Sequence, residues 1–133
     1  MIHVVVGVIP GANQQLLVTQ RPTQKSYSGY WEFPGGKKEA QESAYDALTR
    51  ELKEEINIDV LSAHAWKTVE YTYPDKKVLL DIWIVTQFTG ALQGMENQAF
   101  QWVSFDDLDK IDFLPANKMI LNEVVDILRT PHL

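Results

Sequence analysis

The sequence predicts an α/β (α+β) fold, a sheet covered by helices, and three observations lead there. Residues 2–9 (IHVVVGVI) and 15–20 (QLLVTQ) are strand-like runs separated by Pro10-Gly11-Ala12-Asn13, a turn. Residues 43–56 carry no Gly or Pro and few β-branched side chains, which favours a helix. Two long β-rich runs, 64–73 and 77–88, flank Pro74-Asp75-Lys76 and predict a hairpin. Strands mixed with substantial helices bury their apolar faces best when helices cover a sheet.

The remaining elements follow in order. Residues 21–35 read as a loop with a short strand at Trp31-Glu32-Phe33, ending in Pro34-Gly35-Gly36. Residues 98–103 (QAFQWV) form another predicted strand, and Ser104 caps a helical turn through Asp107. A final helix is expected from Pro115, where proline suits the first helical position, to about Arg129. Its apolar side would carry Met119, Ile120, Val124, Ile127 and Leu128. Trp31, Trp66, Trp83 and Trp102 each sit in a strand-like run, so packing is their expected role.

A chain of 133 residues fits one domain, taken as 1–133, and is long enough to bury a core without staples. It has no cysteine, which excludes disulfides and thiol catalysis. The start, Met1-Ile2-His3-Val4, has no basic region, so no secretion signal is expected and a cytoplasmic setting fits. No apolar run approaches the ~20 residues of a membrane-spanning helix. The formal charge is −6. A nucleic-acid polymer is bound chiefly through phosphate neutralisation by a basic surface, which this chain lacks. A small anionic ligand remains admissible if a metal ion neutralises it locally.

The helix carries the chemistry. Ser43 followed three residues on by Asp46 resembles a capping box. Leu48, Leu52 and Ile56 share one face, with Tyr45 beside them. Glu51, Glu54 and Glu55 fall on an adjacent arc, where like charges cost about 0.2–0.5 kcal/mol per pair. Lys53 points elsewhere, so a cation is expected to neutralise the arc. Carboxylates so spaced suit Mg²⁺, with Mn²⁺ as a substitute, because both prefer hard oxygen ligands. Alone, such a run is more often the solvated face of a surface helix.

The surroundings reverse that reading. Gly36, Glu42, Arg50, Glu51, Leu52, Glu54, Glu55 and Ile58 stand in the spacing G-x5-E-x7-R-E-U-x-E-E-x-G-U, where U is apolar. This resembles the Nudix box. One position departs: Asn57 replaces the helix-ending glycine, and Asn is the next best residue for the left-handed conformation. Beyond the box, Thr19-Gln20-Arg21, Trp31-Glu32-Phe33-Pro34-Gly35-Gly36, Pro74-Asp75, Glu96 before Gln98, and Phe113-Leu114-Pro115-Ala116-Asn117 are similar to the MutT branch of that superfamily.

The resemblance implies an α/β/α sandwich with a mixed, curved sheet between helices. It implies that Glu51, Glu54 and Glu55 ligate metal, helped by the Gly35 carbonyl and Glu96, although Glu96 alone would read as a solvated loop acid. Arg50 would pair with Glu42 or orient a ligand carboxylate; an i,i+4 pair with Glu54 is the alternative. The implied reaction is water attack on the β-phosphorus of a nucleoside triphosphate, giving a monophosphate and pyrophosphate. Which Glu is the base stays open. The expected partner is a small nucleotide, with no nucleic-acid polymer and no membrane, and the chain is expected as a monomer or weak dimer.

Asn117 is the implied base reader, although an Asn near a proline-started helix otherwise satisfies a backbone N–H. Arg21, Phe33, Asp75 and Leu80 are further nucleotide-binding candidates. Arg21 also reads as a surface cation, Asp75 as a turn former, and Phe33 and Leu80 as core. Three functions therefore stand. The first is hydrolysis of 8-oxo-dGTP and related oxidised purine nucleotides. The second is the same chemistry on CTP or another pyrimidine nucleotide, suggested by Gly90-Ala91-Leu92-Gln93. The third is a non-catalytic nucleotide-binding module, disfavoured because such a module has no need of mutually repelling acids.

Overall fold

The computed structural model describes residues 1–129. The elements in chain order are β1 (Ile2–Val8), β2 (Pro10–Gly11), β3 (Gln15–Gln20), β4 (Trp31–Glu32), β5 (Gly35–Lys37), α1 (Ala44–Ile56), β6 (Asp59–Tyr73), β7 (Lys76–Thr89) and β8 (Phe100–Ser104). A 3₁₀ turn (Phe105–Lys110), α2 (Pro115–Lys118) and α3 (Leu121–Arg129) follow. One sheet has the order β5-β1-β7-β6, and in it β1 and β7 run parallel while the other pairs are antiparallel. In the second sheet β3 pairs with β2, β4 and β8, all antiparallel. The long parallel pairing puts β1 in the middle of the molecule.

Strand periodicity explains the layers. Val6 and Val8 of β1 join Val78, Leu80, Ile82 and Ile84 of β7 in a core closed by Ile120, Leu121 and Val124. Val5 and Ile9 face the other way, onto Ala47, Leu48, Leu52 and Ile56 of α1. Side chains alternate across a strand, so a strand buried on both faces must be apolar throughout. The Val4–Ile9 run meets that requirement, and the expected α/β/α layering is present. No helix among the described residues is long and apolar enough to cross a membrane.

The N-terminus of α1 is as expected. Ser43 Oγ accepts the Asp46 N–H at 3.1 Å. At the other end Asn57 is left-handed, φ 64°, and its N–H donates to the Lys53 carbonyl. Its amide also donates to the Ala91 carbonyl at 3.2 Å, tying the helix end to the loop after β7.

Two expectations are corrected. The helix from Pro115 to Arg129 is not continuous. The Ile120 N–H takes the Asn117 carbonyl, three residues back, so the first turn tightens and α3 starts afresh at Leu121. Met119 thereby becomes exposed, while Ile120 and Val124 are buried and Ile127 and Leu128 pack at the margin. Second, Gly35-Gly36 do not belong to a loop: they pair with Val6 and Val5 as β5. The four tryptophans pack at the edges of the two cores, as expected.

Candidate active site

A cavity of about 470 Å³ opens between the two sheets, within the usual size range of ligand pockets. Its walls include Arg21, Phe33, Gly35, Glu51, Leu80, Glu96 and Asn117, together with Glu55. Of the expected metal- and nucleotide-binding residues, Glu54 and Asp75 are not on its walls, and the supporting pair Glu42 and Arg50 lies outside it too. Glu54 is exposed on the outer side of α1, and Asp75 is exposed in the tight turn between β6 and β7. Leu80 and Phe33 are both core and cavity wall, each 3% exposed.

Arg50 organises the acid arc. It donates to both oxygens of Glu42, at 2.6 and 3.0 Å, to Glu51 at 2.9 Å, to Glu54 at 3.2 Å and to the Lys37 carbonyl at 3.1 Å. Its pairing with Glu42 and its i,i+4 pairing with Glu54 are therefore both present. Arg50 thus supplies a cation to two of the arc's three acids. Its guanidinium holds Glu42 far below the usual carboxylate range, at about 2.

Glu55 is the third acid, and no cation among the described residues pairs with it. Its carboxylate accepts from Thr19 Oγ1 at 3.1 Å and from the Gly35 N–H at 3.1 Å. Burial, with the nearby charge of Glu32, pushes its carboxyl up to about 8 despite those bonds. Burial also raises Glu51 and Glu32. Gly36 lies against Glu51: a Cβ there would collide with the carboxylate. A side chain at position 36 would push the Glu51 carboxylate from its place beside β5.

This set of hard oxygens, with one carboxyl short of countercharge, fits a divalent cation. Among the described residues no three acids or histidines stand close enough to hold one in the arrangement seen. Ligation by Glu51 and Glu54 requires them to turn from Arg50.

Sequence reasoning missed several residues here. Glu32 takes Arg21 Nη1 at 3.3 Å on each oxygen, and Arg21 Nε donates to the Ser26 carbonyl at 2.7 Å. Arg21 is thereby spent on the protein itself. Gln98 Nε2 donates to the Glu55 carbonyl at 3.0 Å while its Oε1 accepts the Glu96 N–H at 2.8 Å, fixing the loop that carries Glu96. Tyr73 OH accepts the Ala116 N–H at 3.3 Å, beside Asn117. Glu32 lay within a quoted motif, but nothing local marks this half-buried strand acid as the partner of Arg21.

Asn117 is 4% exposed. Its Oδ1 accepts the Phe33 N–H at 2.8 Å, across 84 residues of sequence. Both expected roles meet in one side chain, since it satisfies a backbone donor and also lines the cavity.

Comparison with known proteins settles the family. The NUDIX domain model matches residues 5–123. The chain belongs to the NUDIX family. Within that family it is 33% identical over 120 residues to the 8-oxo-dGTP diphosphatase of Escherichia coli K12, covering 90% of this chain and 93% of that one. It is 36% identical over 121 residues to the CTP pyrophosphohydrolase of the same organism, covering 91% and 89%. A solved MutT structure, from work on Aliivibrio salmonicida and Vibrio cholerae, superposes with a TM-score of 0.81 at 37% identity, covering 95% and 98%. NUDIX hydrolases generally need a divalent metal. The box runs from β5 through the loop that carries Glu42 and along α1, and Arg50 ties the three together through Glu42 and the Lys37 carbonyl.

Proposed function

We propose that the protein is a Mg²⁺-dependent nucleoside triphosphate pyrophosphohydrolase that converts 8-oxo-dGTP to its monophosphate and pyrophosphate, working in the cytoplasm on free nucleotides. The observation that carries the substrate is the fixed orientation of the Asn117 amide. Because Oδ1 receives the Phe33 N–H, a flip would oppose two donors in a buried place. Nδ2 has no partner among the described residues and is left as a donor on the cavity wall. An amide locked this way donates to O6 of a purine and, through the second lone pair of Oδ1, accepts from N7–H. 8-Oxoguanine carries that N7–H, whereas guanine presents an acceptor at N7 and meets Oδ1 with a second lone pair.

Glu51, Glu54, Glu55, Glu96 and the Gly35 carbonyl would hold the metal. When bound, Mg²⁺ lowers the pKa of water and screens charge on phosphate oxygens. Glu55, held by Thr19 and the Gly35 N–H, keeps its own proton up to about 8 in the metal-free chain, and can accept one from water only once a bound cation has displaced it. The surrounding carboxylates titrate together, so the base is a property of the group. Arg50 positions Glu51, and Gln98 positions the Glu96 loop.

Cytosine offers an amino donor beside a ring-nitrogen acceptor, the same polarity that the amide requires. The kinship with a CTP pyrophosphohydrolase therefore favours a second reading, CTP as substrate. Pyrophosphate release from 8-oxo-dGTP, dGTP and CTP decides between them. The expected order places 8-oxo-dGTP first in kcat/KM, and Asn117→Ala narrows its lead over dGTP by roughly ten- to a hundredfold. A wild type that prefers CTP would reverse the assignment. Release from no nucleotide at all would leave a binding module.

A further inference from the structure

Residues 22–29 leave β3 and return to β4 as a closed loop. Its neck is pinned by the Arg21 N–H on the Tyr30 carbonyl at 2.8 Å, the Gly29 N–H on the Arg21 carbonyl at 3.1 Å, and Gln20 Nε2 on the Gly29 carbonyl at 3.0 Å. The Arg21 side chain binds the Ser26 carbonyl from inside while gripping Glu32. A surface loop so heavily tied holds its side chains at fixed places.

Of the loop residues that line the cavity, Lys25 lies toward its acids and Tyr27 toward the Asn117 side. Lys25 Nζ stands 4.0 Å from Glu96 Oε2, at the acidic end. Arg21, the other cation of this segment, is held by Glu32 and the Ser26 carbonyl, whereas the 4.0 Å approach to Glu96 is loose enough for Lys25 to turn to an anion. Tyr27 lies at the other end. Its ring meets Tyr73 at 5.5 Å and Tyr30 at 5.6 Å, and Tyr73 in turn holds the backbone beside Asn117. Tyr27 is 38% exposed and has φ 57°. A bulky residue in the left-handed region is costly, and such strain persists where the position of the side chain matters.

We infer that loop 22–29 grips a nucleotide at both ends, Lys25 taking the terminal phosphates and Tyr27, backed by Tyr73, walling the nucleoside. This rests on the proposed reading of the cavity as a nucleotide site and deepens it by adding two specificity-determining residues. An ammonium beside Glu96 can pass to a phosphate oxygen, a stronger acceptor at close range. An aromatic face suits a planar base.

The two halves separate by binding, independently of turnover. Calorimetry with Mg²⁺ uses pyrophosphate as one probe and 8-oxo-dGMP or CMP, whichever the wild type binds better, as the other. Lys25→Ala should weaken pyrophosphate roughly tenfold and leave the monophosphate within about twofold. Tyr27→Gly should weaken the monophosphate roughly tenfold and leave pyrophosphate alone, with Tyr27→Phe restoring it. Glycine accepts φ 57° freely, which offsets the lost ring contacts and keeps the loop folded. Equal weakening of both probes by either variant, or of neither, overturns the grip. Tight binding with that crossed pattern but no hydrolysis would instead sink only the enzymatic reading.

Discussion

At Glu55 a carboxylate is asked to stay in a place that does not favour its charge. Its folded value, about 8, lies above the ordinary 4.5, so the folded chain holds a proton that the unfolded chain has released between those limits. In the metal-free protein, stability should therefore fall as pH rises from about 4.5 to about 8, then level off. Melting curves in EDTA test this, and Glu55→Gln should flatten the slope. Added Mg²⁺ should raise Tm more at pH 9 than at pH 6, because the cation competes with the proton. Glu42 behaves oppositely: its depressed value, about 2, adds stability above 4.5 that is lost only in acid, outside this window. Asn117 carries a second residue-scale prediction. Removing its amide leaves the Phe33 N–H without its acceptor, so Asn117→Ala should also cost about 1–3 kcal/mol in urea denaturation.

Elements explain why Arg50 is more than a charge. It ties α1 to the loop before it through Glu42 and to β5 through the Lys37 carbonyl. Arg50→Lys cannot reproduce a planar fork with four partners, so it should destabilise by about 1–3 kcal/mol and loosen Glu51. Differential scanning calorimetry checks the first effect and kcat with saturating substrate the second. At the far end of α1, Asn57→Ala places a Cβ residue at φ 64° and removes the bond to Ala91, a loss of about 1 kcal/mol. This helix was legible from sequence because its caps, its apolar face and its acids all obey one local period. The break at Met119 and Ile120 was not, since Met119 and Ile120 continue a helical pattern and the tightening occurs in the backbone. Strand β5 was hidden for a related reason: a Gly-Gly pair looks like a turn, and only its partner β1 makes it a strand.

Across the whole molecule the site is a convergence of distant segments. Glu55 from α1, Thr19 from β3, Gly35 from β5 and Gln98 before β8 meet through single hydrogen bonds. The acids and Asn117 were readable from the sequence as motifs, but not their arrangement. That Arg21 would be consumed by Glu32, or that Asn117 would reach Phe33, depends on pairings many residues apart. On the proposed function these acids serve metal-assisted hydrolysis of a nucleoside triphosphate. Pyrophosphate release from 8-oxo-dGTP by wild type, Glu54→Gln and Glu55→Gln, with Mg²⁺ and with excess EDTA, tests it most directly. Turnover should vanish in EDTA, return with Mg²⁺, and drop at least ~10²-fold in either variant while each stays folded. Full activity in EDTA, or wild-type rates in both variants, would contradict it.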